Sequence, residues 1–179
     1  MKTALYPRLA WDGLRKNKRL FTPYLLTCVC MVMMFYILSF LGSPETCALL
    51  PRGSNSTGLI LNLGSFVILV FSAIFLYYTN SFLVRRRERE FGLYNVLGMN
   101  KRNLARIVTW ESLITAVLSL VLGLALGIVL SKLAELGLVN MLGGDINYRI
   151  RIDADSLTRT LGLYAVIFAV IWLSTVVRV

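Results

Sequence analysis

Four apolar runs break up an otherwise polar and basic chain: Leu20 to Leu41, then residues 59–83, 107–131 and 160–177. Each is close to the 20 or so residues that a helix needs to cross a hydrocarbon core. None alternates as the strands of a membrane barrel do. The pattern therefore predicts an all-α integral membrane protein with four transmembrane helices. Pro23 falls in the first turn of the first run, where a missing N–H costs little. Gly42 to Gly58 reads as a short polar outer loop. Lys132 to Thr158 reads as a longer one, with a turn at Gly143-Gly144-Asp145, an alternation at Tyr148, Ile150 and Ile152 suggesting a short strand, and Asp155 or Ser156 capping the last helix.

The stretch from Asn80 to Trp110 is organised differently. It holds seven of the 19 Lys and Arg residues, with Arg85, Arg86, Arg87 and Arg89 on one side and Lys101, Arg102 and Arg106 on the other. Between them lie Phe91, Leu93, Tyr94, Val96 and Leu97, a segment too short to span a bilayer and apolar nearly all round. Such a helix is normally covered on more than one side. A cytoplasmic helix between spans two and three, covered by a partner, is therefore expected, with Glu90, Phe91, Leu93, Tyr94, Leu97 and Gly98 as the docking residues. The plainer alternative is a solvated charge run that only fixes topology; it accounts for the arginines and leaves the apolar centre unexplained. Gly98 is the expected stop of this helix, and Asn100 the cap of the next.

Charge sets the orientation. Of the basic residues, 14 lie in segments 1–19, 85–106 and at Arg178, against five in the outer loops. By the positive-inside rule both termini are cytoplasmic. Leu5, Leu9, Trp11 and Leu14 make the basic amino-terminal segment plausible as an amphipathic helix along the headgroups. Its long charged region, and an apolar run longer than a signal sequence uses, argue against a secretory signal. The net charge of +10 is accounted for by these span-end clusters and by anionic lipid rather than by nucleic acid. The expected organisation is residues 1–57 as amphipathic segment, first span and short loop, and 58–179 as the core of the protein.

Little in the chain can do covalent chemistry. There is no histidine, which removes the commonest general base and metal ligand. Cys28 and Cys30 point to different faces of one helix, and Cys47 stands alone, so inert thiols are expected. No metal site, cofactor or catalytic constellation is expected. Within the third run, Ser112, Ala116, Ser119, Gly123, Gly127 and Ser131 recur at steps of three or four, a small-residue stripe suited to close helix packing. Glu111 is the one acid just inside a span. With no second intramembrane acid to relay protons, a structural or gating contact is the favoured role.

The run RRREREFGLYNVLGMNKRNLARIVTWESLITAVLSLVLGLALGIVLS resembles the FtsX-like permease domain of bacterial ABC transporters. The matching positions are Glu90-Phe91-Gly92-Leu93, Leu97-Gly98, Lys101-Arg102, Glu111, and Gly123 with Gly127. Tyr78-Thr79-Asn80-Ser81-Phe82-Leu83 and Leu93-Tyr94-Asn95-Val96-Leu97-Gly98-Met99 are most similar to the bacitracin-type (BceB-like) permeases. The resemblance implies a permease subunit driven by a separate cytoplasmic ATPase, with a role in transport or antimicrobial-peptide resistance, and a sensor histidine kinase as a further partner. The chain itself carries no G-x-x-x-x-G-K-[ST] motif with which to cradle nucleotide phosphates. Bacitracin-type permeases are much longer, so the chain is expected to correspond to the amino-terminal part of one. Two alternatives stay open: a non-transporting mechanotransmitter of the cell-division FtsX type, against which the short first outer loop argues, and a small membrane scaffold without an ATPase.

Overall fold

The computed structural model describes residues 18–47, 54–96, 101–142 and 153–178. They form four long helices and one short turn of helix: α1 (Lys18–Leu41), α2 (Pro44–Cys47), α3 (Ser54–Val96), α4 (Lys101–Leu142) and α5 (Ala154–Arg178). The four long ones are each long and apolar enough to cross a membrane. Among the described residues there is no strand. The amphipathic amino-terminal segment, Gly98 and Asn100 at the α3–α4 junction, and the alternation at 148–152 lie outside the described residues.

Helix boundaries differ from the sequence reading in physically informative ways. α1 begins at Lys18, so Pro23 sits in its second turn and deletes one backbone bond of the ladder. The loop after the first span is shortened from both sides, by α2 and by the early start of α3 at Ser54. At α2, the Thr46 N–H donates to the Ser43 hydroxyl (3.4 Å), a side-chain cap for a helix of one turn. α4 does not stop at Ser131; it runs to Leu142. Lys132 and Glu135, taken from their charge as loop residues, are paired at 3.0 Å across one helical turn instead. At the start of α5, Asp153 rather than Asp155 or Ser156 is the cap: its carboxylate accepts from the backbone N–H groups of Asp155 (3.1 Å) and Ser156 (3.3 Å).

The helices run up, down, up, down, and α1 is the central member. It packs most extensively on α4, then on α3, and also touches α5, whereas α3 and α4 barely meet. Tyr164 ties α5 to α1 by donating its hydroxyl to the Met31 carbonyl (2.7 Å), and its ring meets Phe35 edge-on at 5.7 Å. Around them Cys28, Val32, Phe35, Leu76, Phe168 and Ile171 form the buried core. The outward faces of α3, such as Phe66, Phe71, Ile74 and Phe75, are exposed, as lipid-facing residues should be.

The α1–α4 contact is a parallel one with a fixed register. Cys28 lies beside Ser119, Val32 beside Gly123 and Tyr36 beside Gly127, so each step of four on one helix matches a step of four on the other. On α4 the buried ridge is Glu111, Thr115, Ser119, Gly123, Gly127, Ser131, Glu135 and Val139. It shares the glycines with the predicted stripe, but at its start it passes through Glu111 and Thr115 rather than Ser112 and Ala116. Ridges of this i±4n kind give right-handed crossings and let small residues bring backbones together. A Cβ on Gly123 would stand 2.7 Å from Val32 Cβ and 3.2 Å from the Val29 carbonyl oxygen. On Gly127 it would stand 3.0 Å from the edge of the Tyr36 ring.

These distances order a set of substitutions. Gly123→Ala meets a β-branched side chain next to the backbone, so the helices must part, at an overpacking cost of about 1–3 kcal/mol. Gly127→Ala should cost less, because a ring can tilt. Gly137→Ala and Gly162→Ala meet nothing within 4 Å and should be neutral or stabilising by up to about 1 kcal/mol through helix propensity. Unfolding of the detergent-solubilised variants measures the order; equal effects at Gly123 and Gly137 would make the register wrong.

Candidate functional site

At the end of the bundle where α1 and α4 begin, all four long helices converge on one crevice of about 40 Å³. Phe21 and Tyr24 come from α1, Asn80, Leu83 and Val84 from α3, Val108, Glu111, Ser112 and Thr115 from α4, and Phe168, Ile171 and Thr175 from α5. Glu111 is only 4% exposed, and it shares the crevice with the buried polar side chains of Asn80, Thr115 and Thr175. A volume of that size can hold water against polar walls. This is also the basic end of the molecule, with Arg19, Arg85, Arg86 and Arg106 exposed around it. The opposite end carries Lys132 and Arg159 together with Glu45, Glu135, Asp153 and Asp155.

Three side-chain hydrogen bonds fasten α5 to its neighbours here. The Asn80 amide donates to the Thr175 hydroxyl at 2.7 Å, and that hydroxyl in turn donates to the Ile171 carbonyl at 2.8 Å. Trp172 donates its indole N–H to Thr109 at 3.1 Å, and Ser174 meets the Tyr77 hydroxyl at 3.4 Å. Along α4, Thr115 donates to the Glu111 carbonyl (2.9 Å) and Ser119 to that of Thr115 (2.7 Å). These small polar residues satisfy themselves on their own helix and leave a smooth face towards α1.

The predicted site residues divide in two. Glu111, Gly123 and Gly127 all lie buried on the α4 ridge, the acid in the crevice and the glycines against α1. The backbone of Glu90, Phe91, Leu93 and Tyr94 lies on α3, which passes through the arginine run without a break; the expected separate helix is thus a continuation of span two. Leu97 and Gly98 lie outside the described residues. Sequence reading missed Asn80, Thr175 and Glu135. A polar residue five positions before the arginines, and the four-residue step from Ser131 to Glu135, were the available signals.

Among the described residues no three potential metal ligands cluster. Cys28, Cys30 and Cys47 are free thiols, the first and last of them buried. Burial pushes the Cys47 thiol above its ordinary pKa, away from reactive thiolate. What the site provides is a joint: polar groups that hold α3, α4 and α5 together where α3 leaves the bundle.

The strength of that joint is measurable. Across membrane helices such bonds contribute about 0.6 kcal/mol on average and up to about 1.7 kcal/mol. Asn80→Ala and Thr175→Val should each destabilise the solubilised protein, and the double variant should lose less than the sum by a coupling within that range. Strict additivity of the Asn80 and Thr175 effects would show that the two side chains act independently.

Comparison with known proteins gives the family. Residues 62–179 match the family described as FtsX-like permease C-terminal. An uncharacterised ABC transporter permease of Bacillus subtilis, YvcS, is 24% identical over 172 residues, covering 96% of this chain and 27% of its own length. The bacitracin export permease BceB of the same organism is 24% identical over 164 residues, covering 92% of this chain and 25% of its own length. BceB of Halalkalibacterium halodurans is 25% identical over 166 residues, 93% of this chain and 26% of that protein. The chain thus spans about a quarter of the length of these relatives. With four apolar helices and a match over most of its residues, the chain belongs to the FtsX-like permease family of ABC transporters.

Proposed function

We propose that this chain is a permease component that couples a separate cytoplasmic ATPase to movement of the membrane helices, in transport of, or resistance to, antimicrobial peptides of the bacitracin kind. The observation that carries the reading is the continuity of α3. It extends from Ser54 to Val96, while its apolar span ends at Arg86. Ten further residues project about 15 Å along the helix axis at 1.5 Å per residue. A partner bound to Phe91–Val96 would therefore push on a rod that is one piece with span two. α4 begins again at Lys101 and becomes apolar from Ala105, so the segment between the two helices is tethered on both sides to spans.

The polar joint gives that rod something to act on. Asn80 lies on α3 between the bundle core and the projecting end, and its bond to Thr175 passes displacement of α3 to α5. Glu111 and Thr115 on α4 and Phe21 and Tyr24 on α1 line the same crevice, so all four spans meet at the base of the lever. The concentration of arginine at this end supports its cytoplasmic placement, with both termini inside. The peptide specificity rests on the names of the BceB relatives alone.

Recovery of the cognate ATPase, co-expressed with the full permease and purified through it, tests the docking. An aromatic anchor commonly carries about 2 kcal/mol or more at an interface, which is roughly thirtyfold in affinity at about 1.4 kcal/mol per tenfold. Phe91→Ala with Tyr94→Ala should lower recovery on that scale at matched membrane levels. Arg86→Ala should do so much less, because the Arg86 guanidinium lies over its own helix's Phe82 ring at 5.0 Å. Undiminished recovery with the double variant would mean that the segment packs only on its own spans.

A further inference from the structure

Along the α4–α5 contact runs an apolar groove of about 450 Å³ that adjoins the joint at Ser112 and Phe168. Its lining includes small residues, Ser112 and Ala116 from α4 and Ala165 and Ala169 from α5. Leu113 and Trp172 stand at its sides, 52% and 38% exposed. The Trp172 ring is held in place by its N–H bond to Thr109, which is at the basic end of the groove. One turn further, on the same face of α4, is the exposed Arg106. The order along that face is therefore a cation, then an interfacial indole, then hydrocarbon walls.

We propose that this groove holds one acyl chain of an anionic glycerophospholipid whose phosphate is bound by Arg106. Packed helices lie about 8–10 Å apart, so the slot between their ridges admits a row of methylenes. The headgroup preference follows from charge. The guanidinium has five donors in a fork that suits phosphate oxygens, so it can serve a lipid in addition to contacts within the protein. A zwitterionic lipid offers the same tail without the net negative charge. The site is independent of the transport reading, since it needs no ATPase.

Tryptophan quenching by brominated acyl chains tests the site. The Trp11→Phe, Trp110→Phe variant of the whole chain leaves Trp172 as the sole indole. It is reconstituted in phosphatidylcholine vesicles containing a minor fraction of brominated phosphatidylglycerol or, in parallel, of brominated phosphatidylcholine. A basic residue at a membrane surface is worth about 1 kcal/mol towards anionic lipid, so the brominated anionic lipid should be enriched at Trp172 about fivefold. Arg106→Gln should abolish the excess and Arg106→Lys should retain most of it. Ala169→Phe should fill the groove and lower quenching by both lipids, with unfolding behaviour reported alongside. Equal quenching by the two lipids in the parent would show only an unselective annulus and overturn the proposal. So would an excess that survives Arg106→Gln. Absence of quenching by either lipid would mean that protein covers the groove, and would overturn it equally.

Discussion

Everything in this bundle depends on how closely α1 can approach α4. Lipid tails are as apolar as leucine, so burying apolar side chains between helices gains nothing by itself in a bilayer; tight van der Waals contact and hydrogen bonds must hold the helices. Gly123 and Gly127 make that contact possible, against Val32 and Tyr36, and Ser119 extends it to Cys28. Because α1 is central, the register of this one contact sets where α3 and α5 can lie. The Tyr164 bond to Met31 and the packing of Leu76 and Phe168 against α1 follow from it.

The same ridge joins the two ends of the molecule. Its first residue, Glu111, sits in the crevice with Asn80 and Thr175, and it continues through the glycines to Glu135, buried and paired with Lys132 towards the other end of α4. Small residues that satisfy their hydroxyls on their own helix make a face without protrusions, along which helices can also shift. A stiff α3 projecting from the basic end and a smooth α1–α4 seam within the bundle form a pairing suited to mechanical coupling.

Much of this was legible in the sequence, because the properties involved are local. Twenty apolar residues announce a span without reference to any neighbour, and the four spans fall where hydropathy puts them. Gly123 and Gly127 were readable because the requirement for a small residue repeats with the helical period. Glu111 stood out as the acid inside a span. What was hidden depends on partners distant in sequence or on competing local signals. Asn80 and Thr175 are 95 residues apart, and nothing in either segment names the other. Lys132 and Glu135 suggested a loop by charge, although one turn of helix lets the pair neutralise itself and continue α4 to Leu142. The arginine run suggested a separate helix, yet Arg and Glu are good helix formers and neither Pro nor Gly intervenes before Gly92, so α3 passes straight through.

The α1–α4 register can be read directly by cross-linking, because one half of a suitable pair is native. In a Cys30→Ser, Cys47→Ser background, Cys28 is the only remaining thiol. Ser119→Cys places a second one beside it across the interface. Mild oxidation in membranes should give an intramolecular disulfide between positions 28 and 119, identified by mass spectrometry of the linked peptides. Val121→Cys, on the exposed face of α4, should give none. A disulfide at 119 and none at 121 is the result the parallel packing predicts. Equal yields at the two positions, or none at 119 while both thiols remain reduced, would contradict it.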